Sequence, residues 1–268
     1  MPDTAAQMDP RREWLRHLGR IGADHGLFTR LDGRHLALMV EEESDTLLVS
    51  FDRMDQLWQH GAEGMPLGFD AVPAHNVSFL SLMSAGRSWF RSTEVEAMLS
   101  GLAKDGYFAS FRKIIVLAAS PDCGHAAARA VAHMPGARVL LARPAAAISA
   151  AHAPFETRFR SARRADPDTP PPLGPEALAH ASGTTILFDP RDPCDAGQAA
   201  MFRAPNTTRI GFPLAGRALD RALAAPEAIV PLIRHLMRDT LTARTARAIL
   251  RPILRADPVY RARLSGRG

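Results

Sequence analysis

The residues best placed to do chemistry stand in one stretch, IIVLAASPDCGHAAARA, from Ile114 to Ala130. An apolar run enters a small, kinked segment, and an alanine-rich helix leaves it. Such a junction can present a nucleophile at the tip of a tight, strained turn if the residues two before and two after it are small. Asp122 meets that requirement, with Ser120 and Gly124 as its small neighbours. Ser120 meets it less well, because its neighbours are Ala118 and Asp122. Cys123 fails, since Pro121 and His125 flank it. The spacing therefore favours Asp122 as nucleophile and Ser120 second, which is the chemistry of covalent hydrolysis. The same Asp122 also suits the N-cap of the helix that follows, and the sequence leaves both roles open.

Other side chains could serve such a site. His75, His125 and His152 lie where a loop or first helical turn could bring a base near the junction, although each is equally a hydrogen-bonded or solvated histidine. Cys123 and Cys194 both follow apolar runs, and a thiol at a helix N-terminus can have a lowered pKa. Two cysteines at this separation form neither a disulfide framework nor a zinc motif, and no metal site or cofactor is expected. Arg158, Arg160, Arg163, Arg164 and Arg217 would favour an anionic ligand if they collected in one place; otherwise they are a solvated insertion.

The elements that must position these groups alternate. Arg11–Gly26 has helical spacing of Trp14, Leu15, Leu18 and Ile21. HLALMVEE and TLLVSF read as a hairpin or adjacent strands, the second ending at Asp52. Val77–Leu82 is a further strand and Thr93–Leu102 a helix capped by Ser92 or Thr93. Lys113–Ala119 has the continuous apolar character of a strand buried on both faces, followed by a helix over about Gly124–His133. ARVLLARP, TTILFDP and TTRIGFP are the next strands, with a helix over Asp195–Phe202 after the second of them. Helices over Pro226–Leu241 and Ala243–Leu254 close the chain. Residues 145–182, rich in Arg and Pro, read as a cap-like insertion, and residues 226–268 as C-terminal helices with a basic tail. Alternation of this kind predicts one domain over 1–268, a mainly parallel sheet with helices on both faces and ligands at the carboxyl ends of its strands.

TLLVSF, Trp89–Phe90, the tight turn into GHAAA, RVLLARP, ILFDPRDPCDA and RIGFPLAG occur in the order of an α/β-hydrolase-like sheet. Over about Asp45–Leu241 the chain resembles a group of α-proteobacterial proteins of that type, many labelled phosphoadenosine phosphosulfate reductase. The resemblance implies a triad whose acid follows the seventh strand, here Asp189 or Asp192, and whose histidine follows the eighth. It also implies an oxyanion hole from backbone N–H groups at Phe51, Asp52 and Cys123. The histidine is missing. PLAG is followed by Arg217, no His stands between His180 and His235, and an arginine stays protonated and cannot serve as a base. DPRDP also suits turn and cap chemistry at Asp189, Asp192 and Asp195. Nor do the residues suit the reductase label, which implies a C-terminal Glu-Cys-Gly. The only Cys-Gly here is Cys123–Gly124, and AASPDCGH has one glycine, too few for a phosphate cradle.

Composition bounds the alternatives. Hydrophobic residues make up 46% of the 268, enough for a large core. The net charge of +5 is carried almost wholly by arginine, with lysine only at Lys104 and Lys113, and no groove-reading motif accompanies it. Arg234, Arg238, Arg244, Arg247, Arg251 and Arg255 fall near helical spacing, as the wet face of terminal helices does. The polar N-terminus has no signal-peptide core and no apolar run reaches the ~18 residues of a membrane span, so the expectation is cytoplasmic. The residues thus favour a hydrolase-like protein without its triad, acting as a binding or accessory protein for a small ligand, an anionic one if the arginines collect at the rim. An active hydrolase using Asp122 or Ser120 is the alternative, and reductase chemistry the third.

Overall fold

The computed structural model describes residues 9–58, 64–160, 171–174 and 176–266. Eight strands form one sheet: β1 Gly26–Arg30, β2 His35–Val40, β3 Thr46–Arg53, β4 Ser78–Ser84, β5 Lys113–Ala119, β6 Arg138–Ala142, β7 Gly183–Phe188 and β8 Thr207–Gly211. Their spatial order is β1-β2-β4-β3-β5-β6-β7-β8. β2 pairs antiparallel with β1 and with β4, and every pairing from β4 to β8 is parallel. The helices are α1 Pro10–His25, α2 Met54–Leu57, α3 Ala71–His75, α4 Thr93–Lys104, α5 Pro121–Ala130, α6 Pro193–Met201, α7 Ala218–Ala224, α8 Pro226–Met237, α9 Ala243–Ala256 and α10 Pro258–Leu264.

The period-2 geometry of a strand sorts each apolar run onto two faces. Leu48, Ile115, Leu117 and Leu140 join Trp14 and Leu18 of α1 and Leu219, Ile229, Leu232, Ile233 and Leu250 of α7–α9 in one core. Leu47, Val49, Phe51, Val116, Ala118 and Val139 join Val95 and Leu99 of α4 and Ala126, Ala127 and Ala130 of α5 in the other. This is why Lys113–Ala119 reads as unbroken apolar sequence: both its faces are covered.

Several expectations about the elements change. HLALMV and TLLVSF are not neighbours, because β2 pairs with β1 and β4 while β3 lies beyond β4. The edge strand β1, with exposed residues and only one partner, carries too weak an alternation to be seen in sequence. The alanine helix begins at Pro121 rather than Gly124, since proline's fixed φ suits a first helical position. The chain also adds α7 and α10 to the helices expected near its end.

The alanine and glycine content of α5 lets it lie close on the sheet. A Cβ built on Gly124 would stand 2.6 Å from the Pro144 Cβ and 2.8 Å from its Cα. Gly124→Ala is therefore expected to lower stability by about 1–3 kcal/mol through overpacking. Gly101→Ala, inside α4 with open space around it, should be neutral or stabilising by up to ~1 kcal/mol. Urea unfolding midpoints of the two variants check the contrast.

Candidate functional site

Between the last residue of β5 and the first of α5 stands Ser120, with φ 137° and ψ 160°. That region is nearly closed to residues with a Cβ, so the turn is strained at Ser120 itself. Spacing pointed to Asp122 as the tip, but Asp122 is the second residue of the helix, and it is not the N-cap either: that position is held by Ser120, whose side chain makes no cap bond. The Ser120 hydroxyl instead donates to Asp122 Oδ1 at 3.1 Å. Asp122 is fully buried, Arg87 Nε approaches the same oxygen at 3.9 Å, and Oδ2 has no partner. Burial raises the Asp122 pKa against the opposing pull of Arg53 and Arg87. Burial likewise pushes the Cys123 thiol well up, with Asp122 adding to the effect, so this is an inert thiol rather than an activated one.

None of the candidate histidines meets these groups. His75 Nε2 donates to the Val230 carbonyl at 3.0 Å, on the amino side of the sheet. His152 pairs with Ser149 at 2.8 Å in the segment between β6 and β7. His125 bonds the Ala145 carbonyl through Nδ1 at 3.1 Å, and its buried Nε2 has no partner. Desolvation holds its pKa down to about 4, so it is neutral near pH 7. Among the described residues, no histidine is hydrogen-bonded to Ser120 or Asp122.

Asp189, at the end of β7, is 3% exposed and accepts three backbone N–H groups. Leu214 N and Gly216 N each lie at 2.9 Å, and Arg191 N at 2.9 Å. The first two belong to the loop after β8 that the resemblance reserves for a histidine; Arg217 stands there as the residue before α7, and it is exposed. Asp192 caps α6, accepting from Cys194 N at 2.8 Å and Asp195 N at 3.2 Å, so the cap expected of Asp195 belongs to Asp192.

Asp195 does something the sequence did not foretell. With 1% exposure, it accepts Arg143 Nε at 2.7 Å and is bonded by Arg158 Nη1. Arg143 reaches Asp220 at 2.8 Å, and Arg158 bonds the buried Glu156, which Gln198 Nε2 also reaches at 3.0 Å. The network welds the segment after β6 to α6 and α7. Its only sequence signal was an arginine just after RVLLA, with nothing to show which carboxylates it would find. Arg158 is thereby neutralised rather than offered to an anion, and Arg163 and Arg164 lie outside the described residues.

Phe51 and Asp52 lie inside the sheet, because β3 continues to Arg53 and pairs as far as Arg53↔Ser84. The Asp52 carboxylate accepts Ser50 Oγ at 2.7 Å, Ser81 Oγ at 3.2 Å and Leu67 N at 3.2 Å. Desolvation, only partly offset by those bonds, raises its pKa to about 6. Above the elbow, Trp89, Ala145, Ile148 and Phe159 form a small apolar cluster. Trp89 stacks edge-on against His125 and Phe159, with centroids 5.6 and 5.2 Å away.

Strand order β1-β2-β4-β3-β5-β6-β7-β8 with β2 reversed, and a strained turn between β5 and the following helix, define the α/β-hydrolase fold. No family model matches the chain, and no curated protein matches it in sequence. Solved structures of similar shape include esterase LipW from Mycobacterium marinum, 14% identical over 89% of this chain and 86% of its own, TM-score 0.49. A Pyrobaculum calidifontis esterase is 12% identical over 89% and 96%, TM-score 0.48. The capsule O-acetyltransferase of Neisseria meningitidis serogroup A is 11% identical over 77% and 94%, TM-score 0.49. Among the described residues no helix is long and apolar enough to cross a membrane.

Two outcomes are expected. Asp52 has a folded pKa above its unfolded one, so the native state holds the extra proton between about pH 4 and 6, and stability falls as pH rises through that window. Asp52→Asn removes this slope: its unfolding midpoint relative to wild type should rise from pH 4 to 7. Asp195→Ala leaves Arg143 and Arg158 short of a buried partner and should cost about 3–5 kcal/mol in chemical denaturation.

Proposed function

We propose that this α/β-hydrolase-fold protein no longer hydrolyses at its elbow and acts as a binding or accessory protein for a small ligand. The observation that carries the reading is Asp189. The carboxylate at the position of a triad acid spends itself on the backbone N–H groups of Leu214 and Gly216, in the loop where the histidine would stand. A carboxylate satisfied by backbone has no imidazole to orient. Ser120 supports the same conclusion from the other side, since its hydroxyl donates to the buried Asp122 carboxyl rather than to an imidazole. Ser120 is itself buried, at 2% exposure, away from the water that hydrolysis needs.

Arg87 is the group that would receive an anionic ligand. Its side chain is 35% exposed beside Asp122, and its guanidinium lies 4.8 Å from the Phe159 ring centroid.

The test is ester turnover in wild type beside Ser120→Ala and Asp122→Asn. Both substitutions should leave any turnover within about twofold, since an elbow without a base supplies none of the ~10²–10⁴-fold that general base catalysis gives. A tenfold loss in either variant, with folding intact, would overturn the reading. Thermal-shift titration with small carboxylates and phosphate should give a saturable stabilisation that Arg87→Ala abolishes.

A further inference from the structure

The same carboxyl rim holds a second set of hydroxyl, imidazole and carboxylate groups, two strands from the elbow. The turn from β1 to β2 carries Asp32, β2 opens at His35, and the loop after β4 carries Ser88. The antiparallel register His35↔Ser84 brings the start of β2 against the end of β4, so residues over 50 positions apart in sequence meet. His35 Nδ1 lies 2.8 Å from Asp32 Oδ2, and His35 Nε2 lies 2.7 Å from Ser88 Oγ.

The hydrogen bonds fix the tautomer. Asp32 accepts backbone N–H from Arg34 at 2.6 Å and from His35 at 2.8 Å, and the Ser92 hydroxyl at 2.5 Å. Burial raises its pKa, but these bonds and that of His35 outweigh it and hold the carboxyl well below the usual range. An ionised Asp32 can only accept, so His35 Nδ1 is the donor of that bond, and in the neutral imidazole Nε2 then presents its lone pair to the Ser88 hydroxyl. His35 is 3% exposed and packs on Phe90, ring centroids 5.5 Å apart, which holds the imidazole in place. Ser88 itself is only partly buried. The Phe90 N–H donates to Ser88 Oγ at 3.0 Å, a bond that strengthens as the oxygen gains negative charge. Ser88 is followed by two non-glycine residues at positive φ, Trp89 at 57° and Phe90 at 52°. Strain of that kind persists only where the surroundings impose it, and it gathers at functional sites.

We propose that Ser88, His35 and Asp32 form a Ser-His-Asp relay that transfers the acyl group of small carboxylic esters, separate from the elbow. Ser88 Oγ attacks the ester carbonyl carbon while its proton passes to His35 Nε2. The bond from that carbon to the leaving oxygen breaks, and His35 returns the proton to the departing alcohol, leaving an acyl-Ser88. Water then attacks the acyl carbon, gives a proton to His35, and the bond to Ser88 Oγ breaks with the proton returned to Ser88. The net reaction is ester plus water to acid plus alcohol. Ser88 and His35 touch the reacting atoms; Asp32 is a positioning residue.

This goes beyond the elbow reading, and none of Ser88, His35 and Asp32 carries that reading. The experiment treats the full chain with a fluorophosphonate probe and maps the modified peptide by mass spectrometry, beside p-nitrophenyl acetate kinetics. The label is expected on Ser88 in wild type and in Ser120→Ala, and absent in Ser88→Ala. His35→Gln, and Asp32→Asn, should slow labelling and kcat on the order of 10²–10⁴-fold, with KM for Asp32→Asn within about twofold and circular dichroism unchanged. Because the site is mapped in wild-type protein, a variant that fails to fold does not decide the result. An unlabelled Ser88, or one labelled as fast in a folded His35→Gln, overturns the relay and leaves the elbow reading intact. Label on Ser120 overturns the elbow reading instead.

Discussion

Burial of the central strands on both faces is the constraint from which the rest of the molecule follows. β3, β5 and β6 have almost no exposed side chains, so polar chemistry is expelled to the ends of the strands. At the carboxyl rim the polar groups named here are still buried, and a buried polar group must be paired. Asp52 finds two serines and a backbone N–H. Asp189 finds three backbone N–H groups. Arg143 finds Asp195 and Asp220. Whether a rim residue is free to act depends on how completely its neighbours have already satisfied it.

At the Ser120 turn the neighbours are a buried carboxyl and a closely packed helix. The turn is still strained at Ser120, and α5 still lies against Pro144 through Gly124. Yet the hydroxyl at the tip meets a buried carboxyl, and the acid two strands away holds a loop by its backbone. Close packing explains the persistence of the turn: the approach of α5 to the sheet requires it, whatever the side chain at its tip does.

Much of the fold was legible in the chain. The buried runs at Lys113–Ala119 and RVLLA could only be central strands, and Trp14, Leu18, Leu232 and Ile233 announced helices with one apolar face. Pairing was not legible. Nothing in HLALMV and TLLVSF says that another strand lies between them, because strand order is chosen by the packing of the whole sheet. The register of the elbow was also misjudged by spacing, since Ser120 and Gly124 are small for different reasons: one bears the strain and the other touches Pro144. That no histidine stands between His180 and His235, where the resemblance implies one after β8, could in contrast be read directly from the chain.

By itself the sequence determined the layered α/β class, the strand-to-helix junction at Ser120–Gly124 and the lack of a base in the last rim loop, all local properties of residue type and period. Only the tertiary structure decided which polar groups meet. His35 comes to Ser88 across 53 positions, and Arg143 comes to Asp220 across 77. Such encounters depend on strand order and register. Hydrogen bonds act over about 3 Å, and no local pattern of the chain encodes a distance of that kind between segments so far apart.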